Sequence, residues 1–276
     1  MLARLEGRVF FVDGALPGEL VKAKVVKDEK DFSLATVTEI LTPHPERISP
    51  RCSLAGYCGG CDWQHATASL QKEMKLSILK QAFSQFVPAL ELPKIDYSPS
   101  PLAFNYRNRV RPKFKSGRPC FVGKDGKTLV PFDYCHIAKD AINSSLDRLG
   151  DLNDLSIEIF LKEDGSVHFR ELSAETEGLH FSQVNSEQNI EIQNWIISHC
   201  AQIQPKIVLD LYGGAGNFGL PISRKFRKTL VRSIEASPPL SSYGYKISRG
   251  LGNIDFFCSR SELFLRRYVP VSYTHL

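Results

Sequence analysis

The chain has 276 residues, 42% of them hydrophobic and 24% charged, which fits a folded globular protein and excludes collagen-like, mucin-like and disordered classes. Thirty-five basic against 30 acidic residues leave a net charge of +5, which permits a nucleic-acid partner without demanding one. No run approaches the ~18 consecutive apolar residues of a membrane span, and Glu6 and Asp13 break up the segment where a secretory signal would need its apolar stretch, so the cytoplasm is the expected compartment.

At roughly 150 residues per domain the length suggests about two domains. Residues 1–44 read as small-barrel β structure. VFFVDG, LVKAKVVKDE and FSLATVTEIL are β-rich runs broken by the turn-like GALPGE and KDEKD, the pattern of an OB-type barrel or another small antiparallel sheet. Residues 45–65 are irregular. Residues 66–87 predict an amphipathic helix, with Leu70, Met74, Ile78, Leu79, Ala82, Phe83 and Phe86 at three- and four-residue steps and Pro88 as its stop. Residues 104–172 predict a second β-rich region, with a hairpin turn at 163–165 and a helix near 138–149. From about residue 176 the texture changes. SEQNIEIQNWIISHCAQI predicts a helix, KIVLDLYGGAGNFGLPISRKF an apolar β run, a Gly-rich turn and a helical stretch, and TLVRSIEAS and NIDFFCS two further apolar β runs; the strand–helix–strand alternation implies a parallel sheet.

Three segments carry chemistry. Cys52, Cys58 and Cys61 lie within ten residues around Gly59-Gly60, and the chain has seven cysteines in all. An odd count without an export signal argues against a disulfide framework and for metal binding or redox chemistry. No second C-x2-C knuckle is present, so three clustered ligands plus a distant one suit a [4Fe–4S] cube better than zinc. Cys135 is the chosen fourth ligand, with Cys120, Cys200 and Cys258 competing on composition, and burial as small hydrophobes is the bland reading.

The second segment is Asp210-Leu-Tyr-Gly-Gly-Ala-Gly-Asn-Phe218, after an apolar run and before a helical stretch, with Glu235 following 25 residues after Asp210. Such a turn lets backbone amides approach a ligand, and an acidic residue at the end of the next strand can hold ribose hydroxyls. Residues 214–219 match a dinucleotide fingerprint literally, but Asp210 and the Asn-Phe pair favour S-adenosylmethionine; a plain strand–helix turn is the alternative. The third segment runs from Phe104 to Arg118, with six basic residues and no acidic one. On a strand, Arg107, Arg109, Arg111 and Lys113 would share one face and could track an RNA backbone, or simply form a solvated surface. Gln183 and Asn185, in FSQVN, read as helix caps or ligand contacts.

Together these features resemble the RNA uracil-5 methyltransferase family, in particular its iron–sulfur 23S rRNA branch, over nearly the whole chain. LEGRVFFVDGALPGE is similar to the family's TRAM barrel, CSLAGYCGGCDWQH to its cluster-binding segment, NYRNRVR to the basic strand after it, and FSQVN and DLYGGAGNF to its cofactor motifs. The resemblance implies a mixed α/β chain in three parts: a TRAM barrel at 1–44, a β-rich iron–sulfur domain at 45–175, and an incomplete Rossmann-like methyltransferase domain at 176–276. It implies that Cys52, Cys58, Cys61 and Cys135 hold a [4Fe–4S] cluster. It implies that Gln183, Tyr212, Asn217 and Glu235 contact S-adenosylmethionine. Arg107, Arg109 and Arg111 are the candidate RNA contacts, with rRNA the first choice and tRNA the other; no protein partner is evident, and a monomer is expected.

In the family reaction a cysteine thiolate adds to uracil C6, the enolate-like C5 takes the methyl group, and a base removes the C5 proton before the thiolate leaves. The Ser-Cys-Asn-Pro motif that carries the nucleophile, the base after it and the Asp-Pro-Pro-Arg motif do not occur in these 276 residues. They are expected beyond the C-terminus, and these residues alone are expected to be inactive. PVSYTHL reads as foreign to the frame, and the start reads as clipped by one strand. Gly213 stands where relatives commonly carry Cys, and Ser259-Arg260 replaces an expected polar pair. A non-catalytic RNA-binding iron–sulfur module and an iron–sulfur electron carrier are the competing functions.

Overall fold

The computed structural model describes residues 1–86, 94–150, 152–162, 164–172 and 183–268. Pro88, Glu163, Phe181, Ser182 and the segment PVSYTHL lie outside the described residues, so the expectations placed on them are not addressed. The chain forms two compact units. No helix among the described residues is long and apolar enough to cross a membrane.

The first unit comprises Met1–Pro99, Arg111–His136 and Asn143–Ile157. It opens with β1 (Leu2–Leu5), β2 (Arg8–Asp13), β3 (Leu20–Asp28) and β4 (Phe32–Thr42), in the order β1-β2-β4-β3. The three β runs read from sequence are β2, β3 and β4. The additional strand, β1, pairs antiparallel with β2, Leu2 opposite Phe11, and all four of its residues are exposed, so no alternation of polarity announced it.

The β2–β3 loop turns Leu16 inward, where it meets Ala66, Leu70, Met74 and the half-buried Trp63. Leu70 and Met74 belong to α1 (Ala68–Phe86), whose start is fixed by Thr67: its hydroxyl oxygen accepts the Leu70 amide at 3.2 Å. Each such buried apolar side chain contributes about 1.5–3 kcal/mol. The predicted stripe is core only in the first turns of α1, because Ile78 and Phe83 are 55% and 47% exposed. Beside the loop, the Glu19 side chain is fully buried and accepts Arg47 Nε at 2.5 Å, Arg47 Nη2 at 2.6 Å, and the amides of Leu16 and His44 at 2.7 and 3.0 Å.

Four short strands follow: β5 (Arg109–Val110), β6 (Lys113–Lys115), β7 (Arg118–Val122) and β8 (Leu129–Pro131). β6, β7 and β8 form an antiparallel meander, with Phe114 and Phe132 buried and the Phe121 and Phe132 rings stacked 4.1 Å apart. The helix expected near 138–149 is two short pieces, α2 (Asp140–Asn143) and a 3-10 turn (Leu146–Leu149). β9 (Leu155–Leu161) pairs with β6 through its first residues.

The second unit comprises Ser100–Val110, Ile137–Ile142 and Glu158–Leu276. The later half of β9 pairs here with β5, and β9 neighbours β10 (Val167–Glu171). At the described end of the expected hairpin turn, Gly165 has φ +79° and its amide donates to the Lys162 carbonyl. Then come α3 (Ser186–Ile203), β11 (Ile207–Leu211), α4 (Gly219–Lys225), β12 (Leu230–Glu235), α5 (Pro238–Ile247), β13 (Ile254–Cys258) and α6 (Ser261–Tyr268).

β11, β12 and β13 make a parallel sheet in that order, as the alternation of apolar runs and helices predicts. Val231 and Ile234 at its centre are fully buried, and Leu220, Ile222, Val231 and Ile254 form a core against Ile196 and Phe256. The sequence reading places no helix where α5 lies; a proline pair and a glycine are disfavoured in a helix interior. The prolines sit in its first turn, where a missing N–H costs nothing. At Gly244 a Cβ would lie 2.2 Å from the Phe256 ring, so glycine is what lets α5 lie on β13.

Candidate functional site

The candidate cofactor residues all lie in the second unit, and Tyr212, Asn217 and Glu235 follow or end β11 and β12. β11 ends at Leu211, and the chain turns through Tyr212 at φ +56°. The Gly213 amide donates to Ile234 O at 2.9 Å, so the turn is laid against β12. A Cβ at Gly213 would fall 2.1 Å from Ser233 Oγ and 2.8 Å from Asp210 Oδ2. The Ser233 hydroxyl therefore fills the space that a side chain at 213 would take. Asp210 Oδ2 accepts that hydroxyl at 3.2 Å and the Gly219 amide, at the head of α4, at 3.1 Å. Burial pushes the Asp210 carboxyl above its ordinary pKa, against the lowering by these two donors.

Glu235 ends β12. Its carboxylate accepts the Gly214 amide at 3.0 Å through Oε2 and the Ser237 amide at 2.7 Å through Oε1. One acidic group thus fixes both the Gly-rich turn and the entry to α5, while each oxygen keeps a lone pair for a further donor. Tyr212 is 68% exposed; its hydroxyl donates to Glu262, which raises the phenol pKa, and its amide donates to Ser261 Oγ at 3.2 Å.

The Asn217 side chain faces α3: it exchanges hydrogen bonds with Asn189 and accepts one from Gln193. Gln183 is exposed two residues before Asn185, which caps α3 by accepting the Gln188 amide at 3.0 Å. The Gln183 carbonyl accepts Asn108 Nδ2 at 3.2 Å, and the Asn108 amide donates to Val184 O at 2.8 Å. The structure thus brings Tyr212, Asn217 and Glu235 to one turn and sets Gln183 at the start of the helix that holds it. Ser233, Asn189, Gln193 and Glu262 carry no motif in the sequence; only for Gln193 is there a signal, Pro221, whose missing N–H leaves the Asn217 carbonyl short of a donor.

The basic segment needs correction. The sequence predicts one strand face carrying Arg107, Arg109, Arg111 and Lys113. In the structure the strand breaks between Val110 and Lys113 around the buried Pro112. The Arg109 guanidinium lies 3.4 Å from Glu158, itself 1% exposed, and over the Phe160 ring at 5.7 Å. Arg170 reaches the other oxygen of the same carboxylate at 3.5 Å and the same ring at 5.1 Å. Arg109 is therefore part of an internal Arg–Glu–Arg set, because a buried carboxylate has to be paired. Arg107 is half-buried, its Nε on Arg109 O at 3.0 Å, and Arg111 is exposed.

In the first unit, Cys52, Cys58, Cys61 and Cys135 are half-buried. The turns at 52–61 are held by main-chain bonds from Ala55 to Cys52 O and from Cys58 to Leu54 O, and the Gly60 amide donates to Cys58 Sγ at 3.4 Å. Asn143 brackets Cys135, accepting its amide at 2.9 Å and donating to its carbonyl at 3.1 Å. As the side chains stand, no three His, Cys, Asp or Glu groups among the described residues converge to hold a metal ion. Of the competing cysteines, Cys120 is buried in β7, Cys200 packs on the second unit's core, where burial pushes its thiol pKa up, and Cys258 is exposed.

Comparison with known proteins bears on this arrangement. Residues 154–262 match the tRNA (Uracil-5-)-methyltransferase family, and residues 1–38 match the TRAM domain. An uncharacterized RNA methyltransferase of Bdellovibrio bacteriovorus is 33% identical over 96% of this chain and 69% of its own length. The chain belongs to the RNA uracil-5-methyltransferase family. Within that family, the 23S rRNA (uracil(1939)-C(5))-methyltransferase RlmD of Erwinia tasmaniensis is 28% identical over 93% of this chain and 72% of its own. The Pyrococcus abyssi tRNA (uracil-54, C5)-methyltransferase, solved with S-adenosyl-L-homocysteine, shares the fold, with a TM-score of 0.66 at 18% identity over 91% of this chain and 74% of that one. The β-rich TRAM region and the methyltransferase-like sheet expected from sequence are those of the family, and the strands of the TRAM region form a four-stranded sheet.

Proposed function

We propose that the chain binds S-adenosylmethionine at the carboxyl ends of β11 and β12 and serves C5-methylation of a uridine in RNA, 23S rRNA before tRNA. The observation that carries the reading is Glu235, whose carboxylate sits on the Gly214 amide with lone pairs left for ribose hydroxyls, in a chain of this family. Glu235 would hold the ribose, while Tyr212 and Gln183, both exposed, would bound the site. The bound cofactor supplies an electrophilic methyl group. This chain's own residues would orient it: the glycines of the turn from Tyr212 to Phe218 let the backbone approach closely, and Glu235 holds that turn through the Gly214 amide.

None of the seven cysteines is assigned as the nucleophile. Cys200 is held protonated by burial, the opposite of what a thiolate nucleophile needs, and the Ser-Cys-Asn-Pro motif is not among these residues. Arg107 and Arg111 are the proposed RNA contacts. Cys52, Cys58, Cys61 and Cys135 remain the proposed [4Fe–4S] ligands on their spacing and the Gly60 amide on Cys58 sulfur, although their present placement does not assemble a centre. Iron and sulfide analysis after anaerobic reconstitution decides this, with near-stoichiometric iron lost in Cys58→Ser as the expected result.

Titration calorimetry with S-adenosylhomocysteine tests the main reading. One saturable site is expected, and its absence in a folded chain overturns the proposal. The competing RNA-binding module predicts salt-dependent RNA affinity without any cofactor binding.

A further inference from the structure

The backbone carbonyl of Asn217 poses a problem that the sequence creates. Asn217 stands just ahead of α4, and the residue four positions on, whose amide would ordinarily reach back to such a carbonyl, is Pro221, which has no N–H. The flanking bonds form: Leu220 donates to Gly216 O at 3.0 Å and Ile222 to Phe218 O at 3.3 Å. The missing donor comes from another helix. Gln193 Nε2 donates to Asn217 O at 2.9 Å and to Asn217 Oδ1 at 3.2 Å.

One turn earlier on the same face of α3, Asn189 and Asn217 form a reciprocal amide pair. Asn189 Nδ2 donates to Asn217 Oδ1 at 2.9 Å, and Asn217 Nδ2 donates to Asn189 Oδ1 at 2.8 Å. The Asn217 side chain is thus turned toward α3, and its carboxamide oxygen already accepts two donors.

We infer that Gln193 and Asn189 are positioning residues for the cofactor turn: Gln193 replaces the donor that Pro221 removes, and both hold the Asn217 side chain so that the backbone of residues 213–216 keeps its shape. In this reading, Asn217 serves the cofactor through the shape of the turn. The inference rests on the proposed cofactor site.

The test is Gln193→Glu, which keeps size and replaces the donor by a carboxylate facing two oxygens. S-adenosylhomocysteine affinity is measured by calorimetry on wild type and variant at pH 7.5 and 5, with circular dichroism as the fold check. The expected result is a loss of about tenfold at pH 7.5, as for a buried acceptor left without its donor. Substantial recovery is expected at pH 5, where the introduced carboxyl, which the two facing oxygens favour in its protonated form, regains an O–H donor. Wild type should be nearly unchanged over that range. Asn189→Asp, which keeps the acceptor and loses the donor, is expected to weaken binding in the same direction and carries the test if Gln193→Glu does not fold. Wild-type affinity in the folded variants at both pH values overturns the inference. Failure of wild type itself to bind overturns the proposed cofactor site instead.

Discussion

Glu235 Oε2 accepts the Gly214 amide at 3.0 Å, so a carboxylate at the end of one parallel strand sets the turn that leaves its neighbour. The relationship needs the parallel register, in which Leu211 lies opposite Ile234, one residue before Glu235. Glu235→Ala is expected to weaken S-adenosylhomocysteine binding by roughly ten- to a hundredfold, since bonds to a charged acceptor are the stronger kind. Glu235→Gln should fall between wild type and Ala. Calorimetry on the three proteins checks the order, and an unchanged affinity in Glu235→Ala would remove Glu235 from the site.

Gly213 and Ser233 compete for one space. Gly213→Ala places a Cβ 2.1 Å from Ser233 Oγ and is expected to destabilise the chain by about 1–3 kcal/mol. Ser233→Ala removes the clashing oxygen, so the double variant should be more stable than the sum of the two single changes predicts. Urea melts of the four proteins give the coupling; strict additivity would contradict the steric account.

Glu19 makes the first unit acid-sensitive. Burial alone would raise its pKa, but the Arg47 guanidinium and the amides of His44 and Leu16 together bring it from 4.5 down to about 2. A carboxyl whose folded pKa is depressed contributes its stability above the unfolded pKa and loses it as pH falls toward the folded one. The contribution is therefore complete above about pH 4.5 and disappears toward pH 2. Glu19→Gln should be less stable than wild type at pH 7, by about 3 kcal/mol as for a broken buried pair, and the gap should close on acidification through that window. A gap that stays constant from about pH 6 to about pH 2.5 would refute the assignment.

Arg109 and Arg111 should separate in their effects. Arg109→Ala leaves Glu158 with one partner fewer in a buried place and is expected to lower the melting temperature. Arg111→Ala should weaken RNA binding and reduce the salt slope by about 0.7, the share of one phosphate contact on a single strand. Filter-binding across a salt series, alongside thermal melts, distinguishes the two; a normal slope in Arg111→Ala would exclude a phosphate contact there.

Much of the second unit was legible because its signals are local. The 18 residues of α3 coincide with the helix read from SEQNIEIQNWIISHCAQI, and three apolar runs became three parallel strands. The Gly-rich turn and the acid after it marked the candidate cofactor site, since a short loop between strand and helix that must approach a ligand favours such a cluster of glycines. α5 was hidden by residues that break helices in their interior yet suit a first turn or a close approach. β1 was hidden because an entirely exposed edge strand has no face to bury.

By itself, the sequence pointed to the family through the resemblance of its motifs, to a β-rich start and a parallel sheet near its end, and to Gln183, Tyr212, Asn217 and Glu235 as candidate site residues, because motifs and periodicity are properties of the chain read in one direction. Tertiary structure decided where side chains point. Arg109 turned from an expected surface cation to a partner of Glu158, Gly213 became the complement of Ser233, and Asn217 was claimed by Asn189 and Gln193. Those outcomes depend on groups distant in sequence meeting within hydrogen-bonding or contact distance, as with Asn189 and Asn217, 28 residues apart, and Tyr212 and Ser261, 49 apart. No local pattern records such a meeting, since burial and pairing are settled only when the strands and helices pack.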